Sequence, residues 1–205
     1  MSGAAPTEEQ RYLEEALAAL TRCGLLLKQD KNLPSVVGLM VGGALASSWW
    51  SHPKGRLIFR VLSGLVDHRD VLLTKLLFAK DTLVHRTLWP ALLAVASSAE
   101  PWQMQRLSPP AGALLKRTRL AKTPLSASGP AVRELQSRLL LHAAEVHTAS
   151  GRHQIVLSQW ASWAARVETA PLASAVQGRQ QLEAACAAFG APLTALPWQS
   201  PRGGR

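Results

Sequence analysis

Leucines at positions 13, 17 and 20 recur at the spacing of one helix face. Thr7 and Gln10 stand ahead of them at the spacing of a capping box, and Glu8 and Glu9 fall where the positive end of a helix dipole favours them. A first helix is therefore expected from Glu8 to about Lys28. Residues 29–32 break the pattern. Pro34 suits the first turn of a second helix, which carries Val37 and Val41 on one face and stops at Gly42-Gly43. A third helix is expected over 53–66, capped by Ser51, with Pro53 in its first turn. Leu57, Ile58, Val61, Leu62 and Leu65 make its buried stripe and leave Lys54, Arg56 and Arg60 on other faces. Then come two β-rich runs, 71–78 and 82–88, around a turn at Ala79-Lys80-Asp81. The first run also fits a buried helix, but its Val, Thr and Phe content favours strand. Trp89-Pro90 opens a further helix to Ser97.

The second half repeats the mixture. Residues 100–106 read as a linker. Ser108 with Pro109 opens a helix to about Ala121, and 122–126 is a short connection. Ser128-Gly129-Pro130 opens a helix over 130–143 with Val132, Leu135 and Leu139 inward. Residues 146–148 are a strand candidate and 149–152 a turn. Residues 153–167 hold either a returning strand and a helix, or helix throughout. Trp160, Trp163 and Val167 share one helical face there. A last helix covers 172–189. The Pro- and Gly-rich 190–205 is expected to be a flexible tail, with Trp198 as its possible anchor. Helices followed by a hairpin form the pattern of a winged helix, whose third helix usually enters the major groove. The fold class expected is mainly α with short β-hairpins, arranged as tandem winged-helix units. The division expected is a disordered 1–6, a first unit over 7–98, a linker at 99–107, a second unit over 108–168, a C-terminal helix over 169–190, and the tail.

An internal echo supports two units. Ser51-x-Pro53-x-x-Arg56-x-Ile58 matches Ser128-x-Pro130-x-x-Arg133-x-Leu135 at one fixed offset, which Leu62 and Leu139 keep. Val84, Thr87 and Trp89 match Ile155, Ser158 and Trp160 at an offset six residues shorter. The second hairpin would then be shorter by that amount.

Charge changes the picture more than composition does. The chain has 205 residues and a formal charge of +10. Residues 1–30 carry three basic and five acidic side chains, so the excess lies behind the first helix. A basic body points to nucleic acid, duplex DNA first. Cys23 and Cys186 lie far apart and fit no metal spacing, which points to a reducing cytoplasm. The polar, acidic start does not read as a signal peptide. The apolar run 33–46 is too short and Gly-rich to cross a bilayer, so no membrane partner is expected.

Three segments resemble a group of uncharacterised bacterial proteins. They are Ser48-Trp49-Trp50-Ser51-His52-Pro53-Lys54-Gly55, Leu83-Val84-His85-Arg86-Thr87-Leu88-Trp89-Pro90-Ala91-Leu92-Leu93, and Glu145-Val146-His147-Thr148-Ala149-Ser150-Gly151-Arg152-His153. That group is itself similar to tandem winged-helix DNA glycosylases of alkylation and crosslink repair. The glycosylases are longer and use a Gln-x-Gln or Gln-x-Asp motif early in the chain. Here Gln103-Met104-Gln105 stands between the two units instead. The resemblance makes Gln103 and Gln105 the weak catalytic candidates.

The residues themselves display no catalytic site and call for no cofactor. No Gly-x-Ser-x-Gly elbow or phosphate-binding glycine loop is present, and the acids after residue 30 are scattered. His68-Arg69-Asp70 copies a kinase tripeptide without its companions and reads as a turn. His142, His147 and His153, with Glu145, lack a metal geometry and read as solvated or phosphate-facing. Trp89, Trp160 and Trp163 sit in apolar patterns and belong in the core, while one of Trp49 and Trp50 closes the core over the third helix. The DNA-contact candidates are Lys54, Arg56 and Arg60 on the third helix; Lys75, Lys80 and Arg86 on the first hairpin; Lys116, Arg117, Arg119 and Lys122; and Arg133, Arg138 and Arg152 on the second unit. The function expected is DNA binding in repair or regulation. The alternatives are a glycosylase-like enzyme and a winged-helix module for protein partners, the latter favoured by an apolar outer face on the third helix.

Overall fold

A computed structural model describes residues 5–45, 47–121, 123–147 and 153–199. Most of the expected disordered start (residues 1–4), Lys122, the turn at 149–152 with Arg152, and the end of the tail (200–205) lie outside the described residues.

The chain is mainly helical with two small three-stranded antiparallel sheets. Helix α1 spans Glu8–Cys23 behind the Thr7–Gln10 capping box, both halves of which form. It ends five residues before the expected Lys28. Gly24 takes the left-handed conformation at φ 74°, and the next three leucines turn into strand β1, Leu25–Leu27. All three are buried, so a continuous apolar run that extends the helix pattern is instead an inner strand. Helix α2 covers Val36–Val41, capped by the Ser35 hydroxyl. Helix α3 covers Gly55–Val66 and starts two residues after Pro53. Ser51 does not cap it: its hydroxyl donates to the Ser48 carbonyl inside a short 3-10 turn, Trp49–Ser51. Gly55 lets the turn approach closely, since a Cβ there would lie 3.0 Å from the Trp50 carbonyl oxygen.

Strands β2, Val71–Lys75, and β3, Asp81–His85, form the expected hairpin, with the sheet ordered β1-β3-β2. Both strands are shorter than the β-rich runs, since Leu77–Ala79 closes the turn as a 3-10 element and Arg86–Leu88 forms another. His68-Arg69-Asp70 is indeed the turn between α3 and β2. Helix α4, Trp89–Ala96, follows and is buried at seven of its residues. The expected linker contains a short helix, α5, Pro101–Met104, built on a Glu100–Gln103 capping box.

The second half runs α6, Pro109–Leu120; β4, Leu125–Ser126; α7, Pro130–Ser137; β5, His142–His147; β6, His153–Ser158; and α8, Trp160–Arg166. Its sheet is ordered β4-β6-β5, the order of the first sheet repeated. The two hairpins are equal in length, because the interval from Val71 to Trp89 equals that from His142 to Trp160. The six-residue difference in offset therefore falls before the hairpin: α7 is four residues shorter than α3 and starts two residues sooner after its serine. Each closing tryptophan donates its indole N–H to a main-chain carbonyl: Trp89 to Val84 at 3.1 Å, Trp160 to Leu139 at 2.8 Å.

Helix α9, Ala175–Ala188, lies along α4. A Cβ at Gly178 would sit 2.6 Å from the Ala91 carbonyl oxygen and 3.0 Å from Val95 Cγ2, so only glycine allows this crossing. Gly178→Ala is expected to destabilise the fold by about 1–3 kcal/mol through overpacking, read as a lower urea midpoint; an unchanged midpoint would refute the close packing. The segment after α9 is not a free tail as far as Gln199. Ala195 and Leu196 are buried, and the Trp198 indole donates to Glu183 at 2.7 Å and packs on Trp102. The main core runs from α1 through the first sheet to α4 and takes in Trp160, Trp163 and Leu182; a smaller one lies under α6 and α7. No helix among the described residues is long and apolar enough to cross a membrane.

Candidate nucleic-acid interface

Of the three candidate cations of the third helix, two are paired with the first turn of α1. The Lys54 ammonium donates to the Tyr12 hydroxyl at 2.6 Å and the Met40 carbonyl at 3.1 Å, with Glu8 at 3.7 Å. The Tyr12 bond, aided by Glu8, holds the lysine charged above its usual range. Arg60 meets Glu9 at 2.6 Å. The acidic first turn of α1 is thus the counter-charge of α3, and the charge asymmetry along the chain is partly cancelled in three dimensions. Arg56 is exposed and makes no ion pair among the described residues.

The first hairpin behaves in the same way. Lys75 meets Asp81 at 2.6 Å, Lys80 meets Asp30 at 2.7 Å, and Arg86 meets Asp70 at 3.1 Å. Burial works against charge on Asp30, yet Lys80 and the backbone N–H groups of Asn32 and Leu33 keep its carboxyl below the usual range.

Arg138 has a different task. Its guanidinium donates to the carbonyls of Trp102 at 3.1 Å, Gln103 at 3.3 Å, Gln105 at 2.7 Å and Arg106 at 3.4 Å. Those are the orphan acceptors at the end of α5. Arg138 is a clasp between α5 and α7: where a DNA contact was expected, both of its terminal nitrogens are engaged within the protein. Glu134 beside it accepts from the Ser108 N–H and hydroxyl, which with Arg138 outweigh burial and lower its pKa.

Gln103 is likewise structural. It is fully buried; its carbonyl oxygen accepts from the Ser98 hydroxyl and the Glu100 N–H, both at 3.0 Å. Its amide donates to the Ala96 carbonyl at 3.3 Å and the Arg138 carbonyl at 3.1 Å. All four hydrogen-bonding positions are filled from within, so nothing remains to act on a substrate. Gln105 is exposed on the far side of α5. The two glutamines of the motif do not converge.

Among the candidate contacts that make no ion pair within the described residues, Arg56 lies on α3 and the other four lie on the second unit. Lys116, Arg117 and Arg119 are exposed on the last turns of α6, Arg133 is exposed on α7, and none makes an ion pair among the described residues. Gln159 fixes this helix end by donating to the Thr118 and Arg119 carbonyls, each at 3.4 Å. Lys122 and Arg152 belong to the same half of the chain and lie outside the described residues.

The histidines separate. His142 is buried, stacked against Trp163 and edge-on to Trp160, and burial, with the Arg166 charge, pushes its pKa down to about 4. The expectation that it is solvated is corrected: the strand pattern was read as starting at Val146, and β5 begins four residues earlier. No cluster of metal-ligating residues occurs among the described residues. Cys23 and Cys186 are both free thiols.

The outer face of α3 is apolar, the feature that favours the protein-partner alternative. Trp50 and Phe59 are exposed, with ring centroids 5.6 Å apart, and Val66 continues the strip one helical repeat further along α3. They border a cleft of about 530 Å³ between α3 and β5, closed at the back by Trp49 and Trp163. The sequence signal was the spacing of Phe59 and Val66 outside the buried stripe. No family model, curated protein or solved structure matches this chain.

Proposed function

We propose that the chain is a tandem winged-helix protein that binds duplex DNA, and that its contact surface is the second unit. The observation that carries the reading is the cluster Lys116, Arg117 and Arg119 with Arg133, cations without intramolecular partners on a chain of net charge +10. The repeated order of helix, strand, helix and hairpin, with sheets β1-β3-β2 and β4-β6-β5, supports the winged-helix assignment. The paired state of Lys54 and Arg60 moves the weight from α3 to α6 and α7. Phosphate contacts of this kind position a protein on DNA and release counterions, so the affinity depends on salt more than on sequence.

The test is fluorescence anisotropy of a labelled duplex across a range of salt concentrations. The variant with Lys116→Ala, Arg117→Ala and Arg119→Ala together is expected to bind all duplexes more weakly by a similar factor, with the salt slope lower by roughly two to three. Lys75→Ala, whose lysine is held by Asp81, is expected to leave the slope nearly unchanged. Absence of binding at low salt, or a triple variant indistinguishable from the parent, would refute the reading.

A further inference from the structure

We propose that the cleft between α3 and β5 binds a planar aromatic carboxylate, its ring against Trp50 and Phe59 and its carboxylate held by Arg166 and His142. This goes beyond the DNA-binding proposal and does not depend on it, since the residues concerned are not those of the basic cluster.

Four observations lead to this chemistry. The first is size. A space of about 530 Å³ lies within the range of sites that enclose small ligands. The second is the ring surface. Trp50 is 63% exposed and rests by stacking on Trp49 at 4.1 Å, so its orientation is fixed while much of its surface remains open to the cleft. Phe59 and Val66 extend that surface, and a soluble protein gains by covering it. A flat ring fits this strip better than a branched aliphatic group, because stacked or tilted ring pairs add to area burial.

The third observation is His142. It is only 6% exposed and lines the cleft. Its Nδ1 lies 3.2 Å from the Ser158 hydroxyl, and Nε2 has no hydrogen-bond partner among the described residues. With the Ser158 hydroxyl donating to Nδ1, the neutral ring carries its proton on Nε2 and offers a donor to an acceptor in the cleft. The ring cannot swing away, since Trp160 and Trp163 pack on it. No buried side-chain nitrogen or oxygen lacks a partner among the described residues, so the unpartnered Nε2 keeps access to solvent, as a donor open to the cleft requires.

The fourth is charge. Arg166 lines the same cleft and makes no ion pair among the described residues. Lys28, also at the lining, is neutralised by Asp81 at 3.9 Å. Asp67 and Glu145 stand at the lining as well, so the sign of the ligand is a real question. The forked donors of Arg166, the cation at the lining without an ion pair among the described residues, decide for a carboxylate. Asp67 then opposes the ligand, and its neutralisation is expected to strengthen binding.

The experiment uses three probes of one ring shape with the full-length protein: 2-naphthoate, 2-naphthalenemethanol and 2-naphthylmethylammonium, titrated calorimetrically. The proposal expects 2-naphthoate to bind tightest, by tenfold or more over the alcohol. Trp50→Ala is expected to weaken both the acid and the alcohol by about tenfold. Arg166→Gln is expected to remove the preference for the acid while leaving the alcohol unchanged, and Asp67→Asn to tighten the acid a few-fold. Trp50 and Arg166 are exposed, so these variants keep the fold, which a thermal melt verifies. No heat with any probe, a preference for the ammonium, or a preference for the acid that survives Arg166→Gln would each overturn the proposal. DNA binding by the same preparation is measured separately, and neither result decides the other.

Discussion

Gln103→Ala is expected to lower the stability of the protein by about 3–5 kcal/mol, the largest effect of any single substitution considered. The magnitude follows from what the side chain holds. Ala96 is the last residue of α4, and the Gln103 amide supplies a donor to its carbonyl. The same amide reaches across to the Arg138 carbonyl at the end of α7. The oxygen receives the Glu100 N–H, one half of the capping box that starts α5, and the Ser98 hydroxyl. Alanine leaves the Ala96 and Arg138 carbonyls and the Glu100 N–H without this partner, while the Ser98 hydroxyl keeps the Val95 carbonyl at 2.7 Å; a buried orphan costs about 1–3 kcal/mol. Chemical denaturation followed by tryptophan fluorescence gives the number. Gln105→Ala, by contrast, is expected to stay within about 0.5 kcal/mol, because its side chain is exposed. A loss at Gln103 no larger than that at Gln105 would contradict the network. The comparison also bears on the glycosylase-like alternative. Any activity lost with Gln103 has to be corrected for the fraction folded before it is credited to chemistry.

The position of Gln103 shows where sequence reading succeeds and where it stops. Caps and apolar stripes are local, so Thr7–Gln10, Ser108 and the inward face of α3 could be read from spacing alone. The Gln-x-Gln pair is also local as a motif, but its meaning is not: Gln103 finds its partner on Arg138, thirty-five residues away. Strand β1 was missed for a related reason. Leu25–Leu27 continues the apolar pattern of α1, and only its pairing with β3 makes it a strand. The C-terminal segment reads as a tail because Pro and Gly are frequent in it; its anchor Trp198 is legible as a lone aromatic, but the surface that Leu196 and Trp198 find on α9 and α5 is not. Composition reports the solubility of a segment and not the pocket that awaits it.

Charge was the least transferable signal. A count of cations predicts a surface only where the acids are elsewhere. Here Glu8, Glu9, Asp30, Asp70 and Asp81 come from distant stretches to meet Lys54, Arg60, Lys80, Arg86 and Lys75. The excess that survives is concentrated on α6 and α7, where no acidic helix lies alongside. A sequence argument could have noticed that the acidic first helix had to pack on something basic. It could not have chosen α3, because that choice depends on how α1 crosses the bundle.

Acid is expected to weaken the fold in two stages, and His142 is responsible for most of the first. In the unfolded chain its imidazole titrates near 6.5; in the native protein burial against Trp160 and Trp163, and the Arg166 charge, bring it down to about 4. Between those values the unfolded state binds a proton that the native state does not, so stability rises with pH across that window. The contribution is complete above about pH 6.5 and is lost as the pH falls towards 4. The shift corresponds to about 3 kcal/mol. His85, lowered by burial, adds a smaller loss of the same sign. The carboxylates held below their usual range, Asp30, Glu100 and Glu134, act later, since their stabilisation is lost only as the pH falls through and below the ordinary carboxylate range. His142→Gln separates the stages. Glutamine keeps a polar group near Ser158 and cannot take up the proton, so the parent's stability relative to the variant should fall by about 2 kcal/mol between pH 7 and pH 4.5. Urea midpoints read by tryptophan fluorescence at each pH provide the comparison. Parallel curves for the two proteins would mean that His142 is protonated in the native state. The hydrogen-bond donor assigned to its Nε2 in the cleft would then belong to a cation, and binding of an aromatic carboxylate would strengthen as the pH is lowered.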